Sequence, residues 1–195
     1  MGVLGGAFNP PHVGHLLLAQ EARWQLELDA VLLMVTNRAP HKEIEDDPGA
    51  DVRMEMARLA TDGEEGVEAS DLEVGRDEVS YSYRTLELLT EEEPGRELYF
   101  LLGADMAAGL ASWKEPERVV ELARLGVVPR PGIGIGAVKS ALERLGASDR
   151  AEIIDMPLCG ASSTTVRQRA REGRPLRHLV PDRVIGLIEE RGLYR

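Results

Sequence analysis

The sequence predicts an α/β fold: a Rossmann-like open parallel sheet with helices on both faces and further helices at the C-terminal end. Two observations carry this prediction. Short apolar runs alternate along the chain with longer amphipathic stretches of helical period. Strands that are apolar on both sides are typical of a parallel sheet covered by helices. Because no repeat, low-complexity tract or long linker interrupts the 195 residues, we expect one domain over 1–195.

The elements follow in a regular order. The predicted strands are Gly2–Leu4, Ala30–Val35, Val67–Ala69, Leu98–Leu102, Leu125–Val128 and Glu152–Ile154. The predicted helices lie near residues 14–28, 51–62, 82–91, 105–123, 135–145, 163–172 and 181–191. The first strand is shorter than the usual ~5–6 residues. Ligands of such sheets bind beyond the carboxyl ends of the strands, so the segments after the strands are the candidates for a site.

Composition excludes several classes of function. A net charge of −11 argues against a nucleic-acid partner, which requires a basic face. No apolar run approaches the ~18 residues that span a bilayer, and the N-terminus lacks the pattern of a signal peptide. The single cysteine, Cys159, excludes an internal disulfide and fits a reducing compartment. We therefore expect a cytoplasmic protein without membrane partners; the sequence leaves a homo-oligomer open.

The segment GGAFNPPHVGH, residues 5–15, is the first candidate for a site. Gly5 and Gly6 predict a sharp turn after the first strand, and a helix is expected to begin near Val13. His12 and His15 then share its first turn, where free N–H groups and the helix dipole favour anions. Either histidine alone fits a structural role, and a zinc site lacks further ligands. The pair together favours phosphate binding.

A second helix start carries similar chemistry. SSTTVRQR, residues 162–169, follows the last strand and contains more hydroxyl groups than one helix cap requires. Arg167 lies one turn into this helix, where its guanidinium can bind phosphate oxygens in a bidentate manner. The segment therefore predicts a second anion site, with helix capping alone as the alternative.

Two further segments follow strands. TNRAPHK, residues 36–42, brings His41 and the scarce lysine Lys42 into a loop that could close over a polyphosphate or lie exposed. GAD, residues 103–105, places Asp105 where it can accept hydrogen bonds from ribose, or simply start a helix. Trp113 can stack on an aromatic ring or belong to the core.

One motif points to another class. GIGIGA, residues 132–137, with Asp155 downstream, resembles a dinucleotide-binding fingerprint, which would indicate an NAD-dependent dehydrogenase. Pro129 and Pro131 separate the strand from the first glycine, where that fingerprint needs an immediate tight turn. We regard this as a remote alternative.

The motifs together resemble the HxGH nucleotidyltransferase superfamily, whose signatures are G-G-x-F-[DN]-P-x-H-x-G-H and [ST]-S-[ST]-x-x-R-x-R. Further segments of the sequence are similar to those of the bacterial nicotinate-nucleotide adenylyltransferases. They are PHK at 40–42, VRMEMARLA at 52–60, SYSYRTLELL at 80–89, LLGADMAAGLASWKEP at 101–116, RPG at 130–132 and GRPLRHLVPDRVIGLIEERGLY at 173–194. The resemblance covers nearly the whole chain in order.

The resemblance implies transfer of the adenylyl group of ATP to nicotinic acid mononucleotide, with Mg²⁺ as cofactor, held by the ATP phosphates and by no protein side chain. It implies catalytic roles for His12, His15 and Lys42. The implied ATP-binding residues are Gly6, Ala7, Phe8, His12, His15, Asp105, Ser163, Thr164 and Arg167. The implied mononucleotide-binding residues are Asn9, Thr85, Trp113 and Arg130. Alternatives within the superfamily are enzymes acting on nicotinamide mononucleotide or phosphopantetheine; a non-catalytic nucleotide-binding regulator is a third class.

Overall fold

A computed structural model describes residues 1–39, 43–76, 78–129 and 135–195. Within these ranges the chain forms one six-stranded parallel sheet with the strand order β3-β2-β1-β4-β5-β6. The strands are β1 (Gly2–Gly6), β2 (Val31–Val35), β3 (Val67–Ser70), β4 (Tyr99–Gly103), β5 (Arg124–Val128) and β6 (Ala151–Ile153). The order reverses between β1 and β4, and this switch point is where such sheets bind ligands.

The helices cover the sheet in the alternating manner that the sequence predicts. They are α1 (Val13–Gln25), α2 (Ala50–Thr61), α3 (Ser82–Glu92), α4 (Ala104–Gly109), α5 (Pro116–Leu122), α6 (Ile135–Arg144), α7 (Ser163–Arg171) and α8 (Asp182–Glu190). In the described part of the chain, no helix has the length and apolar character that a membrane crossing requires.

Two apolar cores lie on opposite faces of the sheet because successive strand residues point to opposite sides. Val3, Phe100 and Leu102 belong to the core that packs against α3, α5 and α6. Leu4 and Leu101 belong to the core under α1 and α2. A third apolar cluster joins α2 to α7 and α8. The C-terminal helices are thereby attached beside the loop that follows β1.

Two local predictions were wrong. Gly5 and Gly6 do not form the turn after β1; they continue the strand and pair with Met34 and Val35 of β2. The backbone turns two residues later, where Phe8 has a φ of 49°. The first strand is therefore five residues long, which is an ordinary length.

The second error concerns residues 105–123, which were predicted to form one helix. The structure has two helices, α4 and α5, separated by a 3₁₀ turn at Leu110–Ser112. Pro116 begins α5, as expected for a residue that cannot donate a backbone hydrogen bond within a helix. The break leaves Trp113 and Lys114 in a short connection beside the carboxyl end of β4.

Candidate active site

A cavity of about 350 Å³ opens at the carboxyl ends of β1, β2 and β4. Four residues that the sequence analysis assigned to the site line it: Gly6, His15, Thr85 and Trp113. They come from β1, α1, α3 and the connection after α4. The fold thus brings together residues that lie far apart in the chain, at the position where open parallel sheets bind ligands.

The two histidines form one unit at the start of α1. His12 is the N-cap residue, and its backbone N–H donates to Nδ1 of His15 over 3.1 Å. The imidazole rings stack with centroids 3.7 Å apart, and Phe8 packs edge-on against His15 at 4.9 Å. Because Nδ1 of His15 accepts a hydrogen bond, the neutral ring carries its proton on Nε2. His15 therefore presents a donor at a helix start, where the helix dipole favours anions.

The loop between β1 and α1 is held by side chains from two other elements, α2 and α7. Arg53 of α2 is fully buried and donates to the carbonyl oxygens of Ala7, at 3.0 Å, and Thr36, at 2.6 Å. Ser163 at the start of α7 donates to the carbonyl oxygen of Pro10 at 2.8 Å. Such contacts restrict the loop before any ligand binds, which lowers the entropic cost of positioning substrates.

Asn9 is a structural residue of this loop. It is 3% exposed, and its amide nitrogen donates to the carbonyl oxygen of Glu45 at 2.7 Å. Its amide oxygen accepts from the hydroxyl of Tyr194 at 2.6 Å. Asn9 does not line the cavity. Its expected contact with the mononucleotide stays a prediction, and the observed contacts indicate that it shapes the loop.

Arg167 lies beneath the same loop and is 6% exposed. Its guanidinium donates to the carbonyl oxygen of Asn9 at 3.0 Å, to Glu45 at 2.5 Å and to Asp46 at 3.2 Å. Arg171 also bonds Asp46, and its hydrogen bond, with that of Arg167, lowers the pKa of the Asp46 carboxyl. Two carboxylates thus bond the guanidinium that was predicted to bind ATP phosphates.

A second wall of the cavity is formed by Ser80, Thr85 and the partly buried carboxyl group of Glu73. The hydroxyl of Thr85 donates to Oε1 of Glu73 at 2.6 Å. Burial raises the pKa of the Glu73 carboxyl, and the nearby hydroxyls of Ser80 and Thr85 oppose that rise. The hydroxyl of Ser80 accepts from the backbone N–H of Asn37 at 3.0 Å, which ties this wall to the segment after β2.

Trp113 and Lys114 form the third side. Trp113 packs edge-on against Phe100 of β4, with ring centroids 6.1 Å apart. The Lys114 ammonium lies 4.9 Å from the centre of the Tyr81 ring. All four residues line the cavity. An aromatic face and an exposed cation at one end of a cavity can bind a flat ring that bears an anionic substituent.

The remaining assigned residues are placed as follows. Phe8 is buried behind His15, and Asp105 lies exposed in the first turn of α4. Thr164 is exposed in the first turn of α7, near the capping residue Ser162. None of the three lines the cavity. Lys42, His41, Arg130 and the first glycines of GIGIGA lie outside the described residues.

The zinc alternative gains no support from the geometry. Among the residues that the structure describes, no three His, Cys, Asp or Glu side chains are grouped as metal ligands.

Four residues of the site were not found from the sequence: Arg53, Glu73, Lys114 and Tyr194. Lys114 carried the clearest signal, because lysine is scarce in this chain and this one follows Trp113 directly. Arg53 and Tyr194 lie in segments that were matched only as sequence similarity, and Glu73 lies outside the matched segments. The groups that they contact lie on other elements of the fold, so no local pattern indicated their roles.

Comparisons with known proteins agree with this geometry. The family model for cytidylyltransferase-like proteins matches residues 3–169. A protein of Roseiflexus sp. (strain RS-1) named probable nicotinate-nucleotide adenylyltransferase is 41% identical over 196 residues, which cover 100% of this chain and 98% of the relative. A protein of Exiguobacterium sibiricum with the same name is 38% identical, with 100% and 98% covered.

A solved structure supports the fold at low sequence identity. Plasmodium falciparum nicotinic acid mononucleotide adenylyltransferase, complexed with NaAD, superposes with a TM-score of 0.81 at 19% identity, covering 99% of this chain and 96% of that one. The fold, the full-length similarity and the histidine unit at the switch point lead to one conclusion: this chain belongs to the cytidylyltransferase-like family and, within it, to the nicotinate-nucleotide adenylyltransferases.

Proposed function

We propose that this chain transfers the adenylyl group of ATP to nicotinic acid mononucleotide and releases nicotinic acid adenine dinucleotide and pyrophosphate, a step of NAD biosynthesis. One observation carries the proposal. A single cavity joins a phosphate-donor unit, His15 at the start of α1, to a ring-binding end formed by Trp113 and Thr85. The names of the relatives at 38% and 41% identity support the same reaction.

The chemistry requires positioning more than a protein nucleophile. A phosphate oxygen of the mononucleotide attacks the α-phosphorus of ATP in line. The bond from that phosphorus to the bridging oxygen breaks, and pyrophosphate leaves with the bond electrons. His15 donates from Nε2 to a phosphate oxygen as charge develops there, and the dipole of α1 acts with it. His12 fixes the tautomer of His15 through its backbone N–H.

The second phosphate site requires a rearrangement. Arg167 and Ser163 are assigned to the β- and γ-phosphates together with Thr164, while Lys42 is assigned to close over them. In the structure Arg167 bonds Glu45 and Asp46. In the proposed complex, the polyphosphate replaces these carboxylates at the guanidinium, because it offers more oxygens and more charge.

Mg²⁺ fits this proposal as a partner of ATP. Bound to the polyphosphate, it neutralises charge on the transferring group and the leaving group. The residues assigned around the phosphates are histidines, hydroxyls and a guanidinium, a donor set that suits phosphate oxygens better than a hard cation. That no protein side chain coordinates the ion stays a prediction.

We also infer a cytoplasmic location and small-molecule partners. The single cysteine supports a reducing compartment, and the net charge of −11 argues against a nucleic-acid partner.

The decisive experiment supplies Mg-ATP and one acceptor at a time: nicotinic acid mononucleotide, nicotinamide mononucleotide or phosphopantetheine. Pyrophosphate release and the adenylylated product are measured together. We expect the highest kcat/KM with nicotinic acid mononucleotide. Absence of pyrophosphate release with all three acceptors would refute the proposal, and a higher kcat/KM with another acceptor would reassign the substrate.

A further inference from the structure

Glu73 has no assigned role, yet it connects the segments that enclose one end of the cavity. It lies in the turn after β3, and its side chain lines the cavity beside Ser80 and Thr85. Its Oε1 accepts from the Thr85 hydroxyl at 2.6 Å. Ser80 lines the same wall, and its hydroxyl accepts from the Asn37 backbone N–H at 3.0 Å.

We propose that Glu73 is a positioning residue for the mononucleotide: by holding the hydroxyl of Thr85, it sets the cavity wall against which the substrate ring binds opposite Trp113. This inference rests on the proposed function and deepens it. Glu73 acts through Thr85.

The burial of the two carboxylate oxygens supports an indirect role. Within the described residues, Oε2 of Glu73 is buried and has no hydrogen-bond partner, while Oε1 is occupied by Thr85. A buried carboxyl group with an unsatisfied oxygen costs stability. Because Glu73 costs stability and lies on a cavity wall, its carboxyl group is expected to serve the site by positioning the residue that it contacts.

Thr85 shows what the carboxyl group controls. Its side chain is 4% exposed, and its hydroxyl has one alternative acceptor, the Tyr81 carbonyl oxygen, at the longer distance of 3.4 Å. A threonine in a helix commonly donates to the carbonyl oxygen four residues earlier, and the bond to Tyr81 is of this kind. Loss of Glu73 therefore leaves the Thr85 hydroxyl with the helix bond only. The wall loosens where the ring would bind.

The test measures the dissociation constant of nicotinic acid mononucleotide by titration calorimetry, and the KM of each substrate in the pyrophosphate assay. For Glu73→Ala we expect both constants for the mononucleotide to rise roughly 10-fold, the equivalent of losing one hydrogen bond. The KM for ATP should change less than about twofold. Glu73→Gln retains an oxygen acceptor for Thr85 and should stay within about threefold of the wild type. Glu78→Ala, an exposed neighbour, is the matched control.

A double-mutant cycle separates positioning from general damage. When Thr85 is already replaced by Val, Glu73→Ala should add less than about twofold. Additive effects, or equal rises in KM for both substrates, would overturn the inference. If Glu73→Ala does not fold, comparison of Glu73→Gln, Thr85→Val and their double variant decides the question. A wild-type protein that binds no mononucleotide would refute the proposed function; a wild type that binds it as tightly as Glu73→Ala does would refute this inference alone.

Discussion

The hydroxyl of Tyr194, the penultimate residue, donates a hydrogen bond of 2.6 Å to the amide oxygen of Asn9, 185 residues earlier in the chain. Both side chains are buried. Burial raises the pKa of the Tyr194 phenol, so the group remains a donor throughout the physiological range. The C-terminal segment thus holds the loop that carries His12 and His15.

Replacement of Tyr194 by Phe should lower both stability and turnover. The buried amide oxygen of Asn9 loses its partner, which costs about 1–3 kcal/mol of the free energy of unfolding. The loop between β1 and α1 then becomes less ordered, and kcat should fall more than either KM rises. Denaturant unfolding and steady-state kinetics measure the two effects.

Tyr99→Phe is the matched control, because the Tyr99 hydroxyl bonds Glu152 at the far edge of the sheet. It should leave kcat close to the wild-type value. Equal kinetic losses in the two variants would show that Tyr194 has no particular connection to the site.

His15→Ala should lower kcat by roughly 10²–10³-fold, the usual cost of removing one donor to a developing charge. The residue is partly exposed and lies on the first turn of α1, so the thermal transition should move little. The measurement is pyrophosphate release under saturating substrates, together with thermal unfolding. Turnover close to that of the wild type would remove His15 from the catalytic assignment.

Trp113→Ala should weaken binding of the mononucleotide by roughly 10-fold, because stacking of an aromatic side chain on a ring contributes about 1–3 kcal/mol. The KM for ATP should change little. Trp24→Ala is the control, since Trp24 is 78% exposed and lies outside the cavity. If the KM values for both substrates rise together, Trp113 serves the core through its contact with Phe100.

Lys114→Met should reduce the preference for the acid over the amide of the mononucleotide. The exposed ammonium at the cavity attracts a ring carboxylate, and exposed charge pairs contribute about 0.2–1 kcal/mol. We expect the ratio of kcat/KM for the two substrates to fall about two- to fivefold, and less at high salt because of screening. Lys139→Met, on the exposed side of α6, should leave the ratio unchanged. An unaltered ratio in Lys114→Met would assign the selectivity to other groups.

Most of the fold was predictable because its signals are local. The apolar runs coincide with β1 to β6 within two residues at every end, and the alternation with helices implied the parallel arrangement. The two errors also have local causes. Gly5 and Gly6 were interpreted as a turn although they extend the strand, and the helix prediction over 105–123 passed over Pro116.

The candidate site was predictable only in part. His15, Thr85 and Trp113 belong to recognisable motifs, and all three line one cavity. Asn9 was assigned to a ligand, but its amide is engaged by Tyr194 and Glu45. The difference arises because a motif identifies the residue type at a position, whereas burial and hydrogen-bond partners determine what its atoms can still contact.

The sequence by itself determined the order of strands and helices, the segments that follow the strands, and the family to which those segments are similar. These depend on periodicity, glycine and proline positions, and short motifs, all of which act over a few residues. Only the tertiary structure decided that Tyr194 holds Asn9, that Glu45 and Asp46 occupy Arg167, and that Glu73 anchors Thr85. Tyr194 and Asn9, like Arg167 and its two carboxylates, are separated by more than a hundred residues. Folding sets which polar groups are buried together, and no local pattern encodes that choice.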